Sequence, residues 1–349
     1  MRFLFYPFDC LPVYRNILDE LPLGGTETGI ICLANALAEF GHEVTVISSV
    51  NDESANPRFL LPNNPLLLQG TDIFISIRSW RPIFSLIERK KTFLWTGDDA
   101  NVVHNFGIGD PRVLTHLDNL LCVSDWQANL LCHHSGFPKQ KVWLLRNGVQ
   151  LSYFSGSETR QKKRLIFTAH PSRGLDFVPY IFSSLKKNHK DIELHIFGGA
   201  ATHGKNESEK EQRLFEDLKK MDGCFVHGPV KQRELSREMM RSAVWIYPTA
   251  FRETSCISAM EAQAAGCAII TSALAALPET VGQAGGLLTE IPGSQEYLNK
   301  FIEETDKILT DEKLLDSLSY KALEQAKNYD WKARAKSFLG FLKIVHCME

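Results

Sequence analysis

Two glutamates, Glu253 and Glu261, frame the part of this sequence that is best suited to binding a ligand. An apolar run that ends at Tyr247 predicts a strand, Pro248 turns the chain, and a helical pattern begins near Ser255. Glu253 is therefore expected in the loop before a helix, and Glu261 inside that helix. The pair flanks a predicted helix N-terminus, where backbone N–H groups have no partner within the helix.

The N-terminus of this helix is a candidate phosphate site, because unpaired N–H groups and the positive end of the helix dipole attract anions. A carboxylate repels phosphate, so Glu253 and Glu261 are expected to accept hydrogen bonds from hydroxyl groups, those of a sugar and of a ribose respectively. The alternative is an ordinary helix with an exposed Glu261 and a capping Ser or Thr. The amides expected to take part in phosphate binding are those of Thr254, Ser255, Cys256 and Ile257.

The composition is that of a folded protein without an overall attraction to acidic polymers. The chain has 349 residues, 44% of them apolar, which is enough for two domains with buried cores. Its 39 basic and 41 acidic residues give a formal charge of -2, so nucleic acid is not an expected partner. The eight cysteines are scattered without a Cys-x-x-Cys pair, and no apolar run reaches the ~20 residues of a membrane span. We therefore predict a cytoplasmic protein with reduced thiols.

Short apolar runs alternate with amphipathic stretches along the whole chain, which is typical of βαβ units around parallel sheets. A helix is expected within 24–41, where apolar residues recur at helical spacing. Twelve strands are predicted, six in each half of the chain. They are expected at 2–6, 43–48, 72–77, 92–95, 120–123, 142–145, 165–169, 193–197, 224–227, 244–247, 268–271 and 286–288.

A polar stretch divides the chain into two α/β halves. Residues 155–164 contain almost no apolar side chain and are interpreted as a linker. We therefore predict one Rossmann-like domain at 1–154 and a second at 165–328, with a closing amphipathic helix within 329–349 that packs back on the first domain. Doubly wound sheets bind ligands beyond the carboxyl ends of their strands, so the active site is expected in a cleft between the domains.

The spacing of the two glutamates resembles the signature of family 4 retaining glycosyltransferases. Glu253 and Glu261 have seven residues between them, follow Tyr-Pro-Thr at 247–249 and precede Ala-Gly-Cys-Ala-Ile-Ile-Thr-Ser at 265–272. The resemblance implies a GT-B fold, which consists of two Rossmann-like, doubly wound parallel-sheet domains with an interdomain cleft. It also implies transfer of a sugar from a nucleotide-sugar donor with retention of anomeric configuration.

Other motifs extend the resemblance over most of the chain. The Gly-Gly-Thr-Glu motif at 24–27 resembles the family's N-terminal glycine-rich loop, and His-Gly-Pro-Val at 227–230 resembles the loop that contacts the nucleotide base. The Asn-Gly-Val motif at 147–149 resembles the segment before the interdomain linker. The resemblance implies contacts to the donor by Gly25, Gly228 and Val230, and acceptor-side positions for Thr26 and Glu27.

Arg173 is the candidate cation for the donor diphosphate. The Ser-Arg-Gly motif at 172–174 resembles the family loop that supplies this charge, and a guanidinium can bind two phosphate oxygens. A surface arginine without a partner is the alternative. Many relatives have a second basic residue five positions earlier, where this sequence has Thr168. The resemblance therefore implies that neutralisation of the diphosphate rests on Arg173 and the helix N-terminus.

A second departure from the family pattern follows the strand predicted at 92–95. The family has a His there that contacts the donor sugar, whereas this sequence reads Thr-Gly-Asp-Asp at 96–99. Asp98 or Asp99 is expected to take over the hydrogen bond of that His. Asp98 is the preferred candidate, and Asp99 is then expected on the acceptor side. His104 is expected to be solvent-exposed, as a lone loop histidine usually is.

The resemblance implies a metal-independent glycosyltransferase in which Glu253, Arg173 and Asp98 carry the catalysis. No cofactor is expected, and no Asp-x-Asp pair follows a strand where a metal-bound diphosphate would lie. The donor is expected to be a UDP-sugar, with a GDP-sugar as second choice, and the acceptor a hydroxyl of a glycan, a lipid-linked saccharide or a small molecule. Peripheral contact with the inner face of a membrane and the oligomeric state are left open.

Two other functions compete with this one. A protein that binds a nucleotide sugar without transferring it is suggested by Thr168 and by the altered segment at 96–98. A dinucleotide-dependent oxidoreductase is suggested by the doubled α/β pattern. That class requires Gly-x-Gly-x-x-Gly directly after the first strand, where this sequence has Phe-Tyr-Pro-Phe-Asp at 5–9.

Overall fold

A computed structural model describes residues 1–347, with side chains through residue 345. Within these residues the chain divides into two compact units. Unit 1 comprises Met1–Ile17, Gly25–Gly148 and the segment that begins at Trp331. Unit 2 comprises Leu18–Gly24 and Val149–Asp330.

The described residues contain thirteen strands and twelve α-helices. The strands are β1 (Arg2–Pro7), β2 (Glu43–Ile47), β3 (Arg58–Leu60), β4 (Thr71–Ile77), β5 (Arg89–Thr96), β6 (Asn119–Cys122), β7 (Val142–Leu144), β8 (Gln161–Thr168), β9 (Glu193–Phe197), β10 (Cys224–Gly228), β11 (Ser242–Tyr247), β12 (Ala268–Ser272) and β13 (Gly285–Leu288). The helices are α1 (Ile17–Glu20), α2 (Gly25–Glu39), α3 (Pro111–Leu114), α4 (Asp125–Ser135), α5 (Val178–Asn188), α6 (Glu209–Lys219), α7 (Gln232–Arg241), α8 (Ile257–Ala264), α9 (Leu277–Val281), α10 (Gln295–Thr310), α11 (Glu312–Ala326) and α12 (Trp331–Cys347). No helix within residues 1–347 combines the length and the apolar character that crossing a bilayer requires.

Unit 1 is built on a seven-stranded sheet of order β3-β2-β1-β4-β5-β6-β7, in which neighbouring strands are parallel. Crossover helices bury both faces of such a sheet, so its strands are apolar on both sides. Phe74 and Ile75 of β4 and Phe93 and Leu94 of β5 are accordingly buried. The strand order reverses between β1 and β4, and in doubly wound sheets the carboxyl ends at such a reversal border a crevice.

Helix α12 supplies part of the core of unit 1. The ring of Phe338 is fully buried and lies 6.4 Å from the ring of Phe3, 6.1 Å from that of Phe93 and 5.7 Å from that of Trp143, measured between centroids. Aromatic pairs at such distances add to the stability gained by burying their area. The last helix therefore belongs structurally with the first half of the sequence.

Unit 2 is built on a six-stranded parallel sheet of order β10-β9-β8-β11-β12-β13. Every residue of β11 is buried, as expected for a central strand covered on both faces. The order reverses between β8 and β11, which are neighbours although β9 and β10 come between them in the sequence. The carboxyl ends of β8 and β11 are thus the position at which this sheet is expected to bind a ligand.

All twelve predicted strands are present, with ends within four residues of the predicted ones, but some boundaries differ. The three-residue strand β3 was not predicted, because a run of three residues is too short to show a repeating apolar pattern. The predicted linker at 155–164 is wrong in its last part, since β8 begins at Gln161, which pairs with Ser242 of β11. The boundary between the units lies before Val149, whose N–H donates to the carbonyl of Tyr329 over 2.7 Å and ties this segment to unit 2.

Replacing Phe338 by alanine is expected to destabilise the protein by about 3–5 kcal/mol, because a fully buried ring is lost and a cavity is left beside its aromatic neighbours. Ile344 lies on the same helix and is 62% exposed, so Ile344→Ala is a control expected to change the free energy of unfolding by less than about 0.5 kcal/mol. Urea denaturation followed by circular dichroism measures both changes. Equally small losses would show that α12 is not part of the core.

Candidate functional site

Arg173 and Glu253 lie at the reversal point of the sheet of unit 2. Arg173 is in the loop after β8 and Glu253 in the loop after β11, and these neighbouring parallel strands end at the same edge of the sheet. Their closeness therefore follows from the strand order rather than from the sequence separation. This is the edge at which doubly wound sheets bind nucleotides.

The two side chains form an ion pair. Nη1 of Arg173 donates to Oε1 of Glu253 over 2.9 Å, and the hydroxyl of Tyr247 donates to the same oxygen over 2.5 Å. The guanidinium also lies over the ring of Phe251, with its Cζ 4.4 Å from the ring centroid. The Glu253 side chain is 6% exposed and that of Arg173 is 29% exposed. Arg173 is thus a partly exposed cation fixed by its ion pair with Glu253, and not a surface arginine without a partner.

The protonation states of Arg173 and Tyr247 are fixed over a wide range of pH. Burial alone would lower the pKa of Arg173, but the Glu253 carboxylate together with Tyr247 and Cys256 outweighs burial, and the net shift is upward. Burial, reinforced by the charge of Glu253, raises the pKa of Tyr247 well above its ordinary value. Arg173 therefore stays a cation and Tyr247 a neutral hydrogen-bond donor at physiological pH.

Gly174 allows the loop that carries Arg173 to approach β11. Its φ is 102°, and a Cβ atom at this position would lie 1.9 Å from the carbonyl oxygen of Pro248. A residue with a side chain fits neither the backbone conformation nor the space. The loop after β8 and the loop after β11 are therefore packed backbone against backbone, which sets the separation of Arg173 from Glu253.

Glu261 lies on the buried face of α8 and is held by Gln232, the first residue of α7. Nε2 of Gln232 donates to Oε1 of Glu261 over 2.5 Å. Glu261 is only 6% exposed, and burial raises the pKa of its carboxyl to about 7 although the bond from Gln232 acts in the opposite direction. Near neutral pH the group is therefore divided between its neutral and ionised forms, and a hydroxyl donor would favour the ionised one.

The helix between the two glutamates starts later than predicted. Helix α8 begins at Ile257 with Cys256 as its N-cap residue, whereas the sequence pattern placed the start near Ser255. Thr254 and Ser255 therefore belong to the preceding turn, and the prediction that their amides lie at the helix N-terminus is wrong. A capping Ser would accept a bond from an amide two or three residues on. The buried hydroxyl of Ser255 has no hydrogen-bond partner in the described part of the chain.

Thr168 occupies the position of the second cation without replacing its charge. It is the last residue of β8, it is buried, and its hydroxyl accepts a hydrogen bond from Nε1 of Trp245 over 2.9 Å. Among residues 1–345, whose side chains the structure describes, no group of three or more His, Cys, Asp and Glu is arranged to hold a metal ion. Because Thr168 is neutral, Arg173 is the charged group that pairs with Glu253.

The predicted base-contacting loop follows β10 at the same edge of the sheet. Gly228 ends this strand with a φ of 76°, and the pairing with β9 shifts register just before it. Val230 is half-buried and packs against the core of unit 2. These two residues lie two strands away from β8, and their contact with a nucleotide base stays a prediction.

Unit 1 has a separate polar group where its own strand order reverses. Asp9 follows β1 and Arg78 follows β4, and both have a positive φ, of 50° and 72°. Nε of Arg78 donates to Asp98 over 3.0 Å, and Nε2 of His104 lies 3.0 Å from a carboxylate oxygen of Asp9. His104 is 8% exposed, so the expectation of a solvent-exposed histidine is wrong. Strained residues at two adjacent strand ends are typical of functional sites.

The other residues predicted in unit 1 lie at the start of α2 and after β5. Gly25 is the exposed first residue of α2, and Thr26 is half-buried. Glu27 is buried, and its Oε1 accepts a backbone N–H from the segment after β1 over 3.0 Å. Oδ1 of Asp99 accepts an N–H of its own loop over 3.2 Å. Both carboxylates thus have a partner within unit 1, and their acceptor-side role stays a prediction.

Four residues of the polar groups in the two units were not predicted from the sequence. Tyr247 and Gln232 donate to the two glutamates, Arg78 donates to Asp98, and Asp9 lies beside His104. Tyr247 was taken only as the end of an apolar strand, although a tyrosine at the end of a buried strand needs a partner for its hydroxyl. Gln232 stands two residues beyond the His-Gly-Pro-Val motif. Arg78 directly follows a predicted strand. Its position at the carboxyl end of that strand was therefore a usable signal.

The region that carries the Arg173 and Glu253 group matches a known family. Residues 157–325 match the family described as Glycosyl transferases group 1. The chain is 20% identical over 303 residues to a phosphatidylinositol N-acetylglucosaminyltransferase subunit of Arabidopsis thaliana, which covers 74% of this chain and 66% of that protein. It is 24% identical over 247 residues to the D-inositol 3-phosphate glycosyltransferase of Streptomyces bingchenggensis, which covers 65% of this chain and 53% of that protein. The chain thus spans about half to two thirds of the length of these curated relatives.

Solved structures match the fold over nearly the whole chain. The sucrose-phosphate synthase of Thermosynechococcus elongatus has a TM-score of 0.72 at 15% identity and covers 100% of both chains. HepE of Anabaena, solved in complex with UDP, has a TM-score of 0.66 at 12% identity and covers 98% of this chain and 100% of that one. The two parallel sheets of this chain therefore have the GT-B architecture.

Gly174→Ala is expected to destabilise the protein by at least about 2 kcal/mol, because the left-handed backbone and the contact with the Pro248 carbonyl both oppose a side chain. Gly340 is the control, since it is exposed on α12 and a Cβ atom there would meet no described atom within 4 Å. Gly340→Ala is expected to be neutral or to stabilise by up to about 1 kcal/mol. Urea denaturation of both variants measures the difference, and equal stabilities would contradict the close packing of the two loops.

Glu261 is expected to make the protein less stable as the pH rises. Because burial raises its pKa from 4.5 to about 7, the folded state binds the proton more tightly than the unfolded chain. The stabilisation is complete below the unfolded pKa and is lost as the pH rises through the folded one. Relative to Glu261→Gln, the wild type is expected to lose about 2–3 kcal/mol of unfolding free energy between pH 5 and pH 8. Urea denaturation at both pH values tests this, and a difference that does not change with pH would refute it.

Proposed function

We propose that this chain, whose residues 157–325 match the Glycosyl transferases group 1 family, is a retaining glycosyltransferase of family 4. It transfers a sugar from a nucleotide-sugar donor to a hydroxyl group of an acceptor. The observation that carries the proposal is the arrangement around α8, with buried Glu253 before the helix, buried Glu261 inside it, and Arg173 paired with Glu253 at the reversal point of the sheet.

Each part of this arrangement suits one part of the donor. Arg173 and the amides of the first turn of α8 provide positive charge and N–H donors for the diphosphate. Glu261 is suited to accept from ribose hydroxyls, and Glu253 from hydroxyls of the sugar. Gly228 and Val230, two strands away, are the proposed contacts of the base.

In the proposed reaction the acceptor hydroxyl attacks the anomeric carbon on the face from which the diphosphate leaves. A bond forms between the acceptor oxygen and the anomeric carbon, and the bond from that carbon to the phosphate oxygen breaks. The hydroxyl proton passes to the departing diphosphate. Negative charge grows on the diphosphate during this step, so the fixed guanidinium of Arg173 lowers the barrier. The protein otherwise acts by positioning, and we propose that no metal ion takes part.

A UDP-sugar is the proposed donor, and a GDP-sugar is the second choice. HepE of Anabaena is described in complex with UDP, which supports a uridine donor for a chain of the same fold. The Arabidopsis relative is named an N-acetylglucosaminyltransferase, so N-acetylglucosamine is among the sugars to test. The proposed acceptor is a hydroxyl of a glycan, a lipid-linked saccharide or a small molecule, and the names of the relatives add inositol derivatives to the panel.

The proposed compartment is the cytoplasm. The seven cysteines whose side chains the structure describes form no disulfide with one another, which supports a reducing environment. Asp98, held by Arg78, is the proposed substitute for the family's sugar-binding histidine. Contact with the inner face of a membrane stays a prediction.

Binding of a nucleotide sugar without transfer is the second candidate function. Two observations favour it: Thr168 is tied to Trp245 in place of a second cation, and the charge of Arg173 is already balanced by Glu253. A transferase must stabilise the leaving diphosphate beyond its stabilisation of the bound donor. Nucleotide-sugar binding without release of the diphosphate in the presence of any acceptor would favour this function over transfer.

Two substitutions test the proposed roles of the glutamates. Glu253→Gln is expected to lower kcat about 10- to 100-fold while leaving the Kd of the nucleoside diphosphate within about threefold, because it weakens a charged hydrogen bond to the sugar. Glu261→Ala is expected to raise that Kd by about 10-fold or more, because the ribose loses its acceptor. Release of UDP or GDP from a panel of nucleotide sugars measures turnover, and isothermal titration calorimetry measures binding.

Glu193→Gln is the control for these substitutions. Glu193 begins β9 at the amino edge of the sheet, opposite to the proposed site, and its side chain is 45% exposed. This variant is expected to keep both kcat and Kd within about twofold of the wild type. Full activity of the Glu253 and Glu261 variants would mean that the site lies elsewhere.

A further inference from the structure

Glu253 is held through one of its two carboxylate oxygens. The hydroxyl of Tyr247 and Nη1 of Arg173 both donate to Oε1, over 2.5 Å and 2.9 Å. Oε2 receives no hydrogen bond from any other side chain that the structure describes. An ionised carboxylate can accept about four hydrogen bonds, so this oxygen is the one left for a ligand. The orientation of Oε2 is thus decided by the two donors that fix Oε1.

The two hydrogen-bond donors, Arg173 and Tyr247, differ in how a bound ligand changes their hydrogen bonds. Arg173 carries a full charge and is partly exposed, and in the proposed function it also binds the diphosphate. When that anion is present, the guanidinium divides its hydrogen bonds between the phosphate oxygens and Glu253. Tyr247 is 1% exposed, so its hydroxyl has no access to the ligand. Its bond to Oε1 is therefore the one that does not change when the donor binds.

The position of Tyr247 is set by its surroundings and does not depend on Glu253. The residue ends β11, and its carbonyl accepts a hydrogen bond from Thr271 over 2.8 Å. Its ring packs 4.8 Å from the ring of Trp245 and 6.0 Å from that of Phe167, measured between centroids. A side chain held in this way is a fixed point against which the carboxylate can be oriented.

We propose that Tyr247 is a positioning residue of the transfer reaction, which keeps Oε2 of Glu253 directed at the sugar of the donor while Arg173 is engaged by the diphosphate. The inference rests on the proposed function. It predicts that Tyr247 affects binding of the sugar and turnover, but not binding of the nucleotide. A residue that merely stabilises the fold would affect both alike.

Tyr247→Phe tests this role, because it removes one oxygen atom and keeps the ring. We expect kcat for release of UDP or GDP from the best donor of the nucleotide-sugar panel to fall about 10- to 100-fold, which corresponds to the loss of one hydrogen bond to a charged group. The Kd of UDP or GDP alone is expected to stay within about twofold. The affinity for the intact nucleotide sugar, measured by calorimetry, is expected to fall about fivefold or more relative to that for the nucleotide.

Tyr297→Phe is the matched control. Tyr297 is also fully buried in unit 2, and its hydroxyl also has a single side-chain partner, the Oγ of Ser272 at 2.8 Å. No hydrogen bond among the described side chains joins it to Glu253. This variant is expected to keep kcat and both dissociation constants within about twofold. Thermal unfolding of the two variants shows whether they lose similar stability, so that the comparison separates positioning from folding.

The double variant Tyr247→Phe with Glu253→Gln gives a readout that a structural role would not produce. Because Tyr247 acts through Glu253, its substitution is expected to change kcat by less than about twofold when Glu253 is already Gln. Additive losses, or an unchanged kcat in Tyr247→Phe alone, would overturn the proposal while leaving the glycosyltransferase assignment in place. A wild type that neither binds nor turns over any member of the panel would overturn the proposed function, and this inference with it.

Discussion

A carboxylate buried beside a guanidinium, at the point where a parallel sheet reverses its strand order, is the interaction on which the structure of unit 2 depends. An ionised Glu253 in the protein interior is costly unless it is paired, and Arg173 pairs it at 2.9 Å. The pair in turn requires two loops to lie against each other. Gly174 makes this possible because its backbone conformation and the nearby Pro248 carbonyl exclude any larger residue. The sheet topology, the glycine and the ion pair are therefore parts of one arrangement.

Glu253 and Glu261 are both hydrogen-bonded through one carboxylate oxygen, but their electrostatic surroundings differ. In each, the hydrogen bonds from described side chains go to Oε1, and the proposed function assigns Oε2 to a ligand. Glu253 is paired with a cation, whereas Glu261 has only the neutral amide of Gln232, and burial raises its pKa to about 7. Binding of a hydroxylated ligand to Glu261 is thus linked to loss of a proton near neutral pH.

The sequence predicted the fold and the placement of Glu253 before α8 and of Glu261 inside it, because both depend on patterns that are local in the chain. Apolar runs identify parallel strands, and the spacing from Glu253 to Glu261 is visible within a single loop and helix. Sequence reasoning failed where partners come from distant segments. The hydroxyl of Tyr247 and the amide of Gln232 have partners that only the strand order and the helix packing reveal. The start of α8 was missed because Ser255 resembles a cap but makes no capping bond.

The most direct test of the central claim is a crystal structure of the chain with UDP or GDP bound. The diphosphate is expected within hydrogen-bonding distance of Arg173 and of the amides that open α8, and the ribose hydroxyls are expected on Oε2 of Glu261. A nucleotide that contacts neither Arg173 nor Glu261 would contradict the assignment of this edge of the sheet as the donor site.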